Sequence, residues 1–203
     1  ENFNNAMYFT EHIISKNAMG AHDIFVIDID LDNDLDLATS SFVDNTIAWY
    51  ENDGFQNYTK HEITKDALST TSVHAIDLDL DGDIDILGDS AENDSISWYE
   101  NNSKQDFIFH EITNFLDRAY DVFPADIDND GDIDLLSASS YDHKIAWHEN
   151  DGSQNFISHV ITTQAIHASS VFAADLDNDG DIDVVSSSQG DSSIKWYENK
   201  HIN

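Results

Sequence analysis

Trp49, Trp98, Trp147 and Trp196 are spaced 49 residues apart, and this period constrains the fold more than any other feature of the chain. Asp28, Asp77, Asp126 and Asp175 keep the same spacing. So do Phe9, Tyr58, Phe107 and Phe156, and His12, His61, His110 and His159. A fixed period of 20 to 50 residues marks a repeat architecture in which each copy buries its apolar faces against its neighbours. Four copies fill nearly all of the 203 residues. No stretch is left for a separate catalytic domain or a long linker, so residues 1–203 read as one domain.

Within a copy the pattern is extended throughout. Val171 to Ala174 leads into an aspartate-rich loop, then Ile182 to Ser186, then the alternating run Ser193 to Tyr197. Asp44-Asn45 and Asn93-Asp94 precede the equivalents of that run as two-residue hairpin turns. Asn52-Asp53-Gly54 and Asn150-Asp151-Gly152 turn the chain into a fourth strand, Tyr58 to Ile63 in the first full copy. Four short antiparallel strands per copy make an all-β propeller blade. Helical solenoids fail, because no segment carries apolar residues at helical spacing with caps. The only proline, Pro124, falls in the first strand of its copy, which must then be an edge strand beside the central axis. Phe9 to Ile14 matches a fourth strand with no first three before it, and Val171 to Asn199 supplies three strands with no fourth after them. The expectation is a ring of four blades closed by the N-terminal strand on the last blade. The alternatives are half of an eight-bladed dimeric ring, or a fragment of a longer array.

Each copy carries five aspartates at alternate positions of a nine-residue loop: Asp28, Asp30, Asp32, Asp34 and Asp36; Asp77, Asp79, Asp81, Asp83 and Asp85; Asp126, Asp128, Asp130, Asp132 and Asp134; Asp175, Asp177, Asp179, Asp181 and Asp183. Like charges about 4 Å apart repel by about 1 kcal/mol in water and about 4 kcal/mol at an effective dielectric near 20, so such loops need a compensating cation. Calcium takes 6–8 oxygens, and carboxylates at loop positions 1, 3 and 5 with a backbone carbonyl at 7 wrap around it. Position 6 must bend sharply. Gly82, Gly131 and Gly180 stand there, with Asn33 in the first loop, and both residue types reach positive φ. An EF-hand would place Glu at position 12, whereas this chain has Thr39, Gly88, Ser137 and Ser186. Magnesium prefers stricter octahedral sites, and zinc lacks its nitrogen and sulfur ligands.

The pattern D-x-D-x-D-G-x-x-D between two strands resembles the FG-GAP or VCBS repeats of integrin-like propellers, over essentially the whole chain. The resemblance implies that the side chains at positions 1, 3, 5 and 9 and the carbonyl at position 7 hold one calcium per copy, about four ions in all. It also implies extracellular recognition of a glycan or protein, in a secreted or cell-surface setting.

Charge and composition close other routes. Lys and Arg number 8 against 41 Asp and Glu, for a formal net charge of −33, so a nucleic acid or an anionic membrane finds almost no cations. The absence of Cys removes disulfides, thiolate zinc sites and cysteine nucleophiles. No apolar run approaches the roughly 20 residues of a membrane helix, so no membrane insertion is expected. Glu1-Asn2-Phe3 shows no basic leader, which suits a mature or excised segment. Neither a Gly-x-Ser-x-Gly elbow, a phosphate loop nor a His-Glu-x-x-His helix occurs. The expected function is a calcium-binding, non-enzymatic recognition or adhesion module, as a monomer or a ring-completing homodimer. The alternatives are a polysaccharide lyase or hydrolase, or a structural spacer of a larger secreted protein. The recurrent Trp reads as packing between blades and the recurrent His as an inter-blade hydrogen bond. Residues that break the repeat are the ligand candidates: His22, His74, Arg118, Tyr120, Tyr141, His143 and His167.

Overall fold

A computed structural model describes residues 8–102, 104 and 106–200. Every regular element among them is a strand, so no helix there is long and apolar enough to cross a membrane. The first sheet comprises β1 (Ala21–Ile27), β2 (Asp36–Ser41), β3 (Thr46–Asn52) and β4 (Tyr58–Thr64). The second is β5 (Val73–Ile76), β6 (Asp85–Ser90), β7 (Ser95–Asn101) and β8 (Phe107–Thr113). The third is β9 (Ala119–Ala125), β10 (Asp134–Ser139), β11 (Lys144–Asn150) and β12 (Phe156–Thr162). The fourth has β13 (Ala168–Ala174), β14 (Asp183–Ser188) and β15 (Ser193–Tyr197). Each is an antiparallel meander in sequence order, and the four sheets are successive blades of a β-propeller. The aspartate loops join first to second strand in every blade. Pro124 lies in β9, an edge strand of the third sheet, where its missing N–H breaks no ladder bond on the axial side.

The apolar core lies between blades. Trp49 and Ile47 of the first blade pack with Val73, Ala75 and Ile86 of the second. Trp98 and Ile96 pack with Val122 and Leu135 of the third, and Ile145 with Val171 and Val184 of the fourth. The reading of Trp as inter-blade packing holds for these contacts. The recurrent His behaves differently. His61, His110 and His159 stack on Trp49, Trp98 and Trp147 of their own blades at 4.5, 4.5 and 4.7 Å. Their Nε2 atoms meet Glu51, Glu100 and Glu149 at 2.6 Å. The bond therefore joins third and fourth strands within a blade, because Trp and His are direct cross-strand partners in the register.

Two expectations about connections are corrected. The turn between second and third strands spans four residues, 42–45 in the first blade and 91–94 in the second. Only its last residue takes positive φ, as Asn45, Asp94, His143 and Ser192 do at 53 to 59°. A two-residue type I′ turn would need two such residues. The expected closing strand is also unmade. Residues 8–14 form no strand, and among the described residues β15 has no partner on its outer side.

Candidate functional site

The four aspartate loops lie at one end of the blades. Position 6 has φ of 99 to 101° at Gly82, Gly131 and Gly180, and 76° at Asn33, so the sharp bend that the sequence predicts is present. This bend turns loop amides inward. Gly82 N–H donates to Asp77, Asp81 N–H to Asp79 and Asp83 N–H to Asp81, at 2.9 to 3.2 Å. The same pattern recurs in the other loops, with Asn33, Gly131 and Gly180 donating to the position 1 aspartates.

Carboxylate oxygens converge within 4.8 Å in each loop: Asp28, Asp30 and Asp32 in the first, and the aspartates at positions 1, 3 and 9 in the other three. The position 7 side chains, Asp34, Asp83, Asp132 and Asp181, lie outside these clusters, as a position that offers only its carbonyl would. Position 5 of loops two to four and position 9 of loop one are likewise not in them.

The position 9 aspartate does a second job that the sequence reading missed. Asp85 is fully buried, and its two oxygens accept the N–H groups of Leu78 and Asn101 at 3.0 and 2.8 Å. Asp36, Asp134 and Asp183 make the equivalent pairs. Each thus clamps the start of its loop to the end of the third strand. Burial pushes the Asp85 carboxyl up to about 7 and that of Asp134 up to about 6, against the hydrogen bonds that favour the charged form. Asp30, Asp79 and Asp128 are raised by burial first, with neighbouring carboxylates adding to it. Asp77 leaves one buried carboxylate oxygen with no hydrogen-bond partner. An orphaned hard oxygen among converging carboxylates, opposite a tight glycine bend, suits a hard dication.

The seven repeat-breaking residues fall into two places. Arg118, Tyr141, His143 and His167 gather at the end opposite the aspartate loops. Arg118 donates to Tyr141 Oη at 3.0 Å with its guanidinium 5.1 Å from the ring centre, and the His143 and His167 rings are 5.2 Å apart. Arg118, His143 and His167 all sit at positive φ, which costs non-glycine residues backbone strain. The second place is the axial side. His22 meets the Thr71 carbonyl at 2.7 Å and approaches the Tyr120 ring, while the His74 ring lies tilted against Phe25 at 4.2 Å and edge-on to Phe123 at 5.3 Å. Burial holds His74 down to about 4.

An axial ladder escaped the sequence reading. Asp23 accepts the Val73 N–H at 3.0 Å, Ser72 that of Val122 at 3.4 Å, and Asp121 that of Val171 at 2.9 Å. The 49-residue spacing of Asp23, Ser72, Asp121 and Ser170 was its available signal.

Comparison with known proteins agrees with this geometry. A family model described as an FG-GAP-like repeat matches residues 28–88 and 126–186. No curated protein matches the chain. Among solved structures, virginiamycin B lyase from Staphylococcus aureus is 14% identical with a TM-score of 0.57, covering 92% of this chain and 58% of its own. An exo-beta-1,3-galactanase from Phanerochaete chrysosporium, solved with beta-1,3-galactotriose, is 12% identical with a TM-score of 0.56, covering 88% of this chain and 46% of its own. The chain thus spans about half the length of these structures, and the likeness is one of fold.

Proposed function

The chain belongs to the FG-GAP-like repeat family, and from that premise we propose that it is a calcium-binding recognition module that works outside the cell without catalysing a reaction. The observation that carries the metal reading is the fourfold convergence of carboxylate oxygens within 4.8 Å, each at a loop bent at position 6. The aspartates at positions 1, 3, 5 and 9 and the carbonyl at position 7 would hold one ion per loop, four per chain. The bound ion offsets the repulsion among carboxylates and ties first to second strand in each blade. Sites of this kind in extracellular modules bind at roughly 10⁻⁴ to 10⁻³ M, which suits a calcium-rich exterior.

For recognition, the patch of Arg118, Tyr141, His143 and His167 offers a planar cation, an aromatic face and two imidazoles at one rim, groups that suit a glycan or an acidic protein segment. The metal reading is tested by melting the protein in chelator and in millimolar calcium, since an ion bound only by the fold must raise the midpoint. An unchanged midpoint refutes it. The recognition reading is tested on a glycan and polysaccharide panel that scores binding and product release together. Binding that is lost in Arg118→Ala supports it. Release of oligosaccharides would replace it with a polysaccharide-degrading activity, and silence across the panel with a spacer role.

A further inference from the structure

Asn52, Asn101, Asn150 and Asn199 recur at the 49-residue spacing, just past the recurrent Trp, and lie outside the aspartate pattern. Each is nevertheless bonded to its loop twice. The main-chain N–H donates to the position 9 aspartate, Asp36, Asp85, Asp134 or Asp183, at 2.8 Å. The side-chain amide donates to the position 8 carbonyl, that of Leu35, Ile84, Ile133 or Ile182, at 3.1 to 3.2 Å. Position 8 directly follows the residue whose carbonyl is the expected ligand, so the asparagine fixes the closing end of the loop from outside it.

Asn199 also reaches a second loop. Its Nδ2 lies 3.1 Å from the Ile182 carbonyl in its own blade and 3.1 Å from the Ile127 carbonyl in the preceding one. Both acceptors are carbonyl oxygens, and an amide NH2 carries two hydrogens, so one group makes both bonds. Ile127 stands at position 2 of the third loop, between Asp126 and Asp128, and its own N–H donates to Asp134 at 3.0 Å. Asn199, Ile127, Asp128 and Ile182 line one cleft between the third and fourth blades. An unbroken run of hydrogen bonds therefore joins two aspartate loops. It passes from Asp134 to the Ile127 N–H, from the Ile127 carbonyl to the Asn199 amide, and from Asn199 to Ile182 and Asp183. Asn101 and Asn150 bond the position 8 carbonyls of their own loops, and among the described residues the reach to a preceding loop belongs to Asn199.

Such bonds bear on ion binding because the closed loop is opposed by its own charge. Carboxylate oxygens of Asp126, Asp128 and Asp134 converge within 4.8 Å, as do those of Asp175, Asp177 and Asp183, and they repel one another until a cation offsets them. A loop that is closed for only part of the time binds with an affinity lowered by that fraction. Hydrogen bonds that favour the closed form raise affinity without touching the ion. We propose that Asn199 is a positioning residue shared by two ion sites: from the fourth blade it holds the third loop closed as well as its own. This role rests on the calcium reading above and adds to it a residue outside the aspartate pattern.

The test measures calcium affinity across the blade boundary. In a chain whose other three loops carry Asp→Asn at positions 1 and 3, only the third loop binds calcium. Asn199→Leu keeps the main-chain N–H and removes the donor amide. Titration calorimetry should show the dissociation constant of the third loop weakened by about twofold to tenfold, the equilibrium worth of one amide hydrogen bond. The same substitution in a chain that keeps only the second loop should leave its constant unchanged. Unchanged binding at the third loop, or equal weakening at the second, would overturn the shared role while the calcium reading stands. No calcium uptake by the unsubstituted chain in millimolar calcium would overturn both. A second measurement needs no emptied loop. In the calcium-loaded chain, Asn199→Leu should speed hydrogen exchange of the Ile127 amide, read by NMR, by about the same factor, and leave that of Leu78, its counterpart in the second loop, as it was. Equal exchange at Ile127 with and without the substitution would refute the shared role.

Discussion

His148 offers a prediction whose size follows from its surroundings. It occupies the position that is Tyr50, Tyr99 or Tyr197 in the other blades, is buried, and has both ring nitrogens near serine hydroxyls, Ser137 at 2.9 Å and Ser158 at 2.8 Å. Burial first, then the Lys144 and His159 charges, hold it down to about 4. In the unfolded chain an imidazole titrates near 6.5. The unfolded state thus binds the proton more readily, and the stability His148 contributes is present above about pH 6.5 and lost as pH falls toward about 4. Integrating the linkage between those values gives a loss of about 2 kcal/mol at pH 5 and about 3 kcal/mol at pH 4. Other groups titrate in the same window, so the readout is a double difference. His148→Tyr restores the repeat, and Ser186 already pairs with Tyr197 at 3.2 Å in the fourth blade, so the hydroxyl has a precedent. Urea unfolding of both proteins, in chelator and at one protein concentration, should show the variant gaining about 2 kcal/mol on the parent between pH 7.5 and pH 5. A difference between the two proteins that stays constant within about 0.5 kcal/mol across that range would refute the reasoning.

Further outcomes follow from the same contacts. Gly131→Ala should lose about 1–2 kcal/mol from backbone strain alone, since a Cβ there meets nothing within 4 Å while φ is 100°; calorimetric or urea unfolding reads it, and an unchanged stability would contradict the bend. Ile145→Ala, in the core between the third and fourth blades, should cost about 2–5 kcal/mol in the same assay. A cost under about 0.5 kcal/mol would mean that the blades do not pack there. Asn33→Gly should leave calcium affinity of the first loop intact or higher, measured by titration of a chain in which the other loops carry Asp→Asn at positions 1 and 3; a loss would show that Asn33 has a role beyond its φ.

The repeat made the strands legible because each copy reports the same alternation. The run Ser193–Tyr197 and the edge position of Pro124 were readable from pattern alone. The aspartate loops were readable because their charges make sense only in concert. What the period could not reveal is which side of a blade a recurrent residue faces. His61 therefore read as an inter-blade contact, although its partner Glu51 recurs at the same spacing and lies within the blade. The position 9 aspartates read as ligands only, since their clamp to the third strand depends on a loop closing in three dimensions. Arg118, His143 and His167 looked like breaks in the pattern. Their backbones obey it, at positive φ positions that Ser69, Asn45 and Gly20 fill elsewhere. Closure was the least legible feature, because it depends on the angle between blades, which no single copy encodes.

The central claim is that each aspartate loop holds one calcium. Isothermal titration of the chelator-treated chain, with bound calcium counted by elemental analysis after dialysis, tests it most directly. About four ions per chain are expected, falling by one with each loop in which the position 1 and position 3 aspartates are changed to Asn. A count that stays near zero in millimolar calcium, or that does not fall with the loop variants, would contradict it.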